Sequence, residues 1–199
     1  MRDANEGDTR LVVTEILCDL LGYDRYSEIS TEYMVRGEFA DYALRIDNQV
    51  LAMIEVKRVN TVLAQKHLRQ VEMYGVNEGV EWLILTNGAQ WQVYRLIPGM
   101  PVSIDLVLDV DLLADDVTAA KKADKLVHLH KTFMLHGSLD EIWRAAAATS
   151  PQKLAEVLLS GPVLSEAAKE LWRQTKHRID PGDLGRALRD SVIRLELAK

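Results

Sequence analysis

The chain has 199 residues, 48% hydrophobic and 27% charged, with a formal net charge of −6. That length suffices for one domain with a sizeable core, or one domain and a smaller appendage. The negative balance disfavours bulk polycation binding of nucleic acid, so any DNA contact would need a local basic patch, a bound metal or a partner subunit. The single cysteine, Cys18, rules out an intrachain disulfide. Residues 1–6 are polar and charged, and no apolar run is long enough to span a bilayer. These features give the expectation of a cytoplasmic protein without a membrane segment.

Residues 6–21 carry apolar groups mainly at three- and four-residue spacing, which predicts a helix, and Gly22 supplies its stop. Three strand-like runs follow. Residues 26–35 are mixed and belong at an edge, residues 38–46 precede a turn at Asp47-Asn48, and residues 50–56 form a nearly continuous apolar run. The short break between the second and third runs predicts an antiparallel hairpin. Asn60 reads as the cap of a helix over 61–77. Strands over 80–85 and 90–96 flank Thr86-Asn87-Gly88-Ala89, a hairpin signal, and 102–110 suits one more strand. After Asp111 strand signals fade, and helices are predicted over 118–135, 138–148, 151–159, 164–176 and 181–197.

The charged residues at the ends of two apolar runs carry the chemistry. Asp41 lies in the second run and Glu55 near the end of the third, with Lys57 two residues on. Side chains alternate along a strand, so Glu55 and Lys57 share a face and Val56 takes the other. Two carboxylates and a backbone carbonyl, that of Val56, suit a hard divalent cation such as Mg²⁺ or Mn²⁺. Lys57 beside an attacking water would orient it and offset charge on phosphorus. Burying an acid and a base at the end of a central strand is otherwise costly. On the triplet alone, a metal site and a strand-end salt bridge remain equally good readings. On residue type alone, Glu6 is best read as an acid at a helix N-terminus, where the dipole favours it.

The order Asp41, thirteen residues, Glu55-Val56-Lys57, then Gln70 and Tyr74 four apart on the next helix, resembles the PD-(D/E)xK nuclease superfamily. In particular it resembles the N-terminal nuclease region of type I restriction enzyme R subunits and stand-alone predicted restriction endonucleases. Asn5-Glu6-Gly7-Asp8-Thr9-Arg10, Leu21-Gly22-Tyr23-Asp24 and Trp82-Leu83-Ile84-Leu85-Thr86-Asn87-Gly88 add to the likeness, which covers roughly residues 5–97. The resemblance implies an α/β, restriction-endonuclease-like core of order α-β-β-β-α-β-β with a mixed central sheet over residues 1–111. An all-α region over 112–199 would follow as a partner, dimer or DNA interface. It further implies a Mg²⁺-dependent DNA endonuclease leaving 5′-phosphate ends, catalytic Asp41, Glu55 and Lys57, and metal ligands Glu6, Asp41, Glu55 and Val56. Gln70 and Tyr74 would support DNA or the active site. Cutting both strands with one site per chain calls for a homodimer.

One departure stands out: no Gly-x-x-x-x-Gly-Lys-[Ser/Thr] sequence occurs, so no ATP site is expected in this chain. A catalytically silent nuclease-fold module that binds DNA or protein is therefore the alternative. His128, His130 and His136 read as surface histidines, Trp82 and Trp91 as core. The basic residues Arg173, Lys176, His177, Arg178, Arg186, Arg189 and Arg194 read by default as a solvated face, with a DNA-backbone patch as the sharper alternative.

Overall fold

The computed structural model describes residues 5–35, 38–47 and 49–193, without the side chains of Val35, Glu38, Gln70, Val71, Met73, Tyr74 and Asn77. Helix α1 (Glu6–Glu15) leads into β1 (Ile29–Val35), β2 (Glu38–Ile46) and β3 (Gln49–Val56). Helix α2 (Arg69–Glu78) crosses to β4 (Trp82–Thr86), β5 (Gln90–Ile97) and β6 (Ser103–Asp111). The six strands form one sheet in sequence order. Every neighbouring pair is antiparallel except β3 and β4, which run parallel because α2 returns the chain between them. The fold is thus α/β with a mixed sheet, and the expected hairpins β2–β3 and β4–β5 both form.

The strand alternation divides the core into two clusters. Ala52, Ile54 and Val56 join Val13, Leu17 and Leu21 from the α1 region, while Met53 joins Leu68, Leu83 and Leu85. Helix α2 contacts β2, β3, β4 and β5. Gly75 permits that approach, since an added Cβ would lie 2.8 Å from Leu96 Cδ2 and 3.1 Å from Leu83 Cδ2. Trp82 and Trp91 are core residues, as expected.

Three predicted helices are cut by local hydrogen bonding. The first leaves α geometry after Glu15 and finishes as a π turn over Ile16–Leu20. The helix expected from Thr61 starts only with a 3₁₀ turn at Gln65–Leu68 before α2. Thr61 is held in a turn, its N–H donating to the Arg58 carbonyl and its own carbonyl accepting from Asn87. His67 Nδ1 accepts the Ala64 N–H, a role the sequence reading gave to Asn60. The single helix expected over 118–135 becomes α3 (Ala119–Leu126), a 3₁₀ turn and α4 (Lys131–Leu135). The break falls at His130, whose extended backbone and ring nitrogen cap α4, while Lys131 N–H donates to the Leu21 carbonyl. At β1 the start slips to Ile29 because Asp24 holds Tyr26 and Ser27 in a turn.

The chain divides into compact units Met1–Trp143 and Arg144–Lys199. The composition changes at residue 112, yet Leu126, Leu129 and Leu139 belong to the first unit's core. Helix α5 (Ser138–Ala148) runs through the division. The second unit carries α6 (Pro151–Leu158), α7 (Gly161–Thr175) and α8 (Pro181–Ser191). Ser150 and Asp180 cap α6 and α8 through their side chains, and both helices place proline in the first turn.

Candidate active site

The register brings Asp41 and Glu55 together. The β2–β3 ladder pairs Tyr42 with Ile54 as its last rung toward the C-terminal end of β3. Asp41 and Glu55 are the next residues, where the strands part. There the Asp41 side chain replaces the backbone ladder, its Oδ2 accepting from Val56 N–H at 2.7 Å. On its other edge β3 stays paired, Val56 with Thr86, and Lys57 N–H donates to the Thr86 carbonyl at 2.8 Å. The charged residues therefore sit at the C-terminal ends of the parallel pair, where open α/β sheets commonly bind ligands.

Glu55 is 5% exposed and pairs with Lys57, as the shared face required. Burial raises the Glu55 pKa above the ordinary carboxylate range. The Lys57 hydrogen bond opposes this, and the charges of Asp41 and Glu6 add to it. For Lys57, burial works against the charge, but the hydrogen bond to Glu55 and the fields of Glu55, Glu6 and Asp41 prevail and raise its pKa. Glu6 is exposed in the first turn of α1, under a capping box formed by Asn5 and Asp8. Its acid thus shares an electrostatic neighbourhood with Asp41, Glu55 and Lys57.

Arg10 and Tyr42 belong to this site although the sequence reading gave them no role. Arg10 lies one turn beyond Glu6, with Nε 3.7 Å from Asp41 Oδ1 and Nη2 3.6 Å from Glu32. Its guanidinium lies 5.8 Å from the Tyr42 ring centroid. The Tyr42 hydroxyl donates to the Arg10 carbonyl at 2.7 Å and contacts Thr14 Oγ1 at 2.9 Å, which fixes α1 against β2. Burial opposes the Arg10 charge, yet Asp41 and its other neighbours raise its pKa. The available signal was spacing: Arg10 follows Glu6 by four residues, so both share a helix face. His67, kept toward its neutral form by burial and by Lys66 and Lys57, also lies within reach of Lys57's field.

Val56 is fully buried, and its N–H is committed to Asp41. Gln70 and Tyr74 have their backbones on α2, but their side chains lie outside the described residues. Among the described residues, no group of three His, Cys, Asp or Glu side chains is arranged to hold a metal ion. The donor chemistry nevertheless suits Mg²⁺, which keeps several waters and commonly takes only one or two carboxylates together with substrate phosphate. His128 bonds Ser138 and His130 caps α4, so both have structural partners.

Fold and site define an α/β protein with a mixed sheet and a buried glutamate paired with a partly exposed lysine at the end of its parallel strands. Residues 5–100 match the family described as "Type I restriction enzyme R protein N terminus (HSDR_N)". No curated protein and no solved structure gives a significant match. No helix among the described residues is long and apolar enough to cross a membrane.

Proposed function

We propose that the chain is a metal-dependent DNA endonuclease of a restriction or defence system, with its site on Asp41, Glu55 and Lys57. One observation carries the reading: at the end of β3, Asp41 is fastened to the Val56 amide while the buried Glu55 pairs with a partly exposed Lys57. A general surface strand has no reason to bury that glutamate. The family match over residues 5–100 supports a restriction-related role.

A divalent cation, Mg²⁺ or Mn²⁺, supplies polarisation of the phosphoryl oxygen and acidification of a water when bound. Asp41 and Glu55 offer carboxylate oxygens to it, with the Val56 carbonyl as a third donor and Glu6 adding negative charge from α1. Asp41 Oδ2 accepts from the Val56 amide and Oδ1 faces Arg10, so the carboxylate that would hold the cation is anchored on both sides. Lys57 exchanges its bond to Glu55 for the attacking water, orients it and offsets charge growing on phosphorus. Arg10 holds the Asp41 carboxylate at the site through their ion pair. Gln70 and Tyr74 are proposed to support the bound strand from α2, and two copies of the chain to cut the two strands.

The test is cleavage of supercoiled plasmid by purified protein with Mg²⁺ or Mn²⁺, beside Asp41→Asn and Lys57→Ala. Cutting that both substitutions abolish is the expected result, and cutting that survives Lys57→Ala would assign it elsewhere. A second reading, a silent nuclease-fold module, is favoured by one feature: each carboxylate already faces a cation, Asp41 facing Arg10 and Glu55 facing Lys57. Under that reading millimolar Mg²⁺ leaves the melting temperature unchanged. Under the first it raises the melting temperature, and Asp41→Asn erases the rise.

A further inference from the structure

The unit Arg144–Lys199 holds a cavity of about 470 Å³ between α7 and α8. Ala168, Lys169 and Trp172 line it from α7, and Arg178, Ile179 and Pro181 line it from the connection and the start of α8. The helices meet closely at one point, where a Cβ on Gly185 would lie 3.0 Å from Leu164 Cδ1. Helix α7 ends at Lys176, a non-glycine residue in the left-handed conformation at φ 58°. Glycine usually occupies such a position, and a lysine there is strained. The conformation turns the chain back along α7 and brings Lys176 Nζ to 5.6 Å from the Trp172 ring centroid.

The charges around the cavity fall into two sets. Lys169 is paired with Glu166, Arg173 with Glu170, and Arg186 with Asp183. Lys176, His177 and Arg178 have no salt-bridge partner among the described residues, and Asp180 is committed to capping α8. Trp172, 44% exposed, presents aromatic surface beside them, above an apolar floor that includes the buried Ala168. An aromatic face, an apolar floor and the uncompensated Arg178 in one recess, with Lys176 beside the indole, are the complement of a nucleotide: a π-surface to stack and phosphates to neutralise.

We propose that this cavity binds single-stranded nucleic acid, one nucleobase entering against Trp172 and the flanking phosphates meeting Lys176 and Arg178. Duplex bases are already stacked on one another and cannot offer a face to the indole without being unpaired. An acidic peptide would engage the cations but leave the indole and the floor unused. Because the whole chain carries a charge of −6, affinity at this patch depends on the stacked base as well as on the cations. The proposal stands apart from the β3 site and can be tested with that site's chemistry switched off.

The experiment titrates the full chain into a 5′-fluorescein dT12 oligonucleotide in EDTA and follows anisotropy, with circular dichroism confirming that each variant keeps its helices. Saturable binding is expected. Trp172→Ala should weaken it at least ~5-fold, Trp172→Phe should retain it within ~3-fold, and a dT12 containing abasic sites should bind like the alanine variant. Arg178→Glu should weaken binding and flatten its salt dependence. Absence of wild-type binding overturns the proposal, as do equal affinities of wild type and a folded Trp172→Ala, or tighter binding of a duplex. A Trp172-dependent dimer in sedimentation without oligonucleotide binding would assign the cavity to a second copy of the chain, and would overturn it too.

Discussion

Acid–base pairs occur in both units of the molecule, and their surroundings give them opposite characters. In the helical unit Lys169–Glu166 and Arg173–Glu170 are spaced three residues apart on α7, with every member more than half exposed. Their partners lower the Glu166 and Glu170 pKa, as a nearby cation does in water. At the end of β3 the same pairing of glutamate and lysine leaves Glu55 raised, because burial and the fields of Asp41 and Glu6 outweigh Lys57. A cation beside a carboxylate is thus an ordinary surface device in one unit. In the other it is partial compensation for an acid held where water would normally be needed.

The sharpest way to break this comparison is to remove the cation from each. Lys57→Met is expected to lower plasmid cleavage by about 10²- to 10³-fold, the range for loss of a group that stabilises charge developing in the transition state. Lys169→Met should leave both cleavage and melting temperature unchanged. Equal effects of the two would place the β3 pair among the surface pairs and end the catalytic reading.

Arg95 tests burial without catalysis. It joins Glu81 at 2.7 Å and Asp140 at 2.9 Å, and lies 4.7 Å from the Trp82 ring and 5.2 Å from that of Trp143. Arg95→Met should cost about 2 kcal/mol in chemical denaturation, since a desolvated stacked cation is worth more than an exposed one. A smaller effect comes from the link between α1 and β2. Tyr42→Phe removes the hydroxyl bonded to the Arg10 carbonyl and Thr14, and should cost about 1 kcal/mol. Circular dichroism melts of the metal-free protein will show whether the change stays within that range.

The subtlest prediction concerns pH. The Glu55 pKa is higher in the folded chain than in the unfolded one, so its stabilising contribution is complete below the ordinary glutamate value and declines as pH rises through the raised one. The melting-temperature difference between wild type and Glu55→Gln in EDTA should therefore shift against wild type over that window. Magnesium, which favours the ionised carboxylate, should move the window to lower pH. A difference that stays flat with pH would show that Glu55 is no more burdened than Glu166.

Much of this molecule was legible in order and spacing. Strands β2 and β3 and the β4–β5 hairpin follow from apolar runs bounded by turn residues, and alternation alone placed Glu55 and Lys57 on one face. The helices were legible as segments but not as units. Their breaks at Thr61 and His130 depend on bonds to Asn87 and to Leu21, residues remote in sequence. The grouping of α3 with the sheet was equally hidden, because an amphipathic stripe states that a face will be buried and not against what.

The sequence by itself determined which residues alternate, which runs are apolar enough to be covered, and that an acid and a lysine would share a strand end. Tertiary structure alone decided that Asp41 would cap the open ladder at Val56 and that Arg10 would stand against its second oxygen. Periodicity is a local property of the chain. Burial and field are sums over neighbours that only folding brings near.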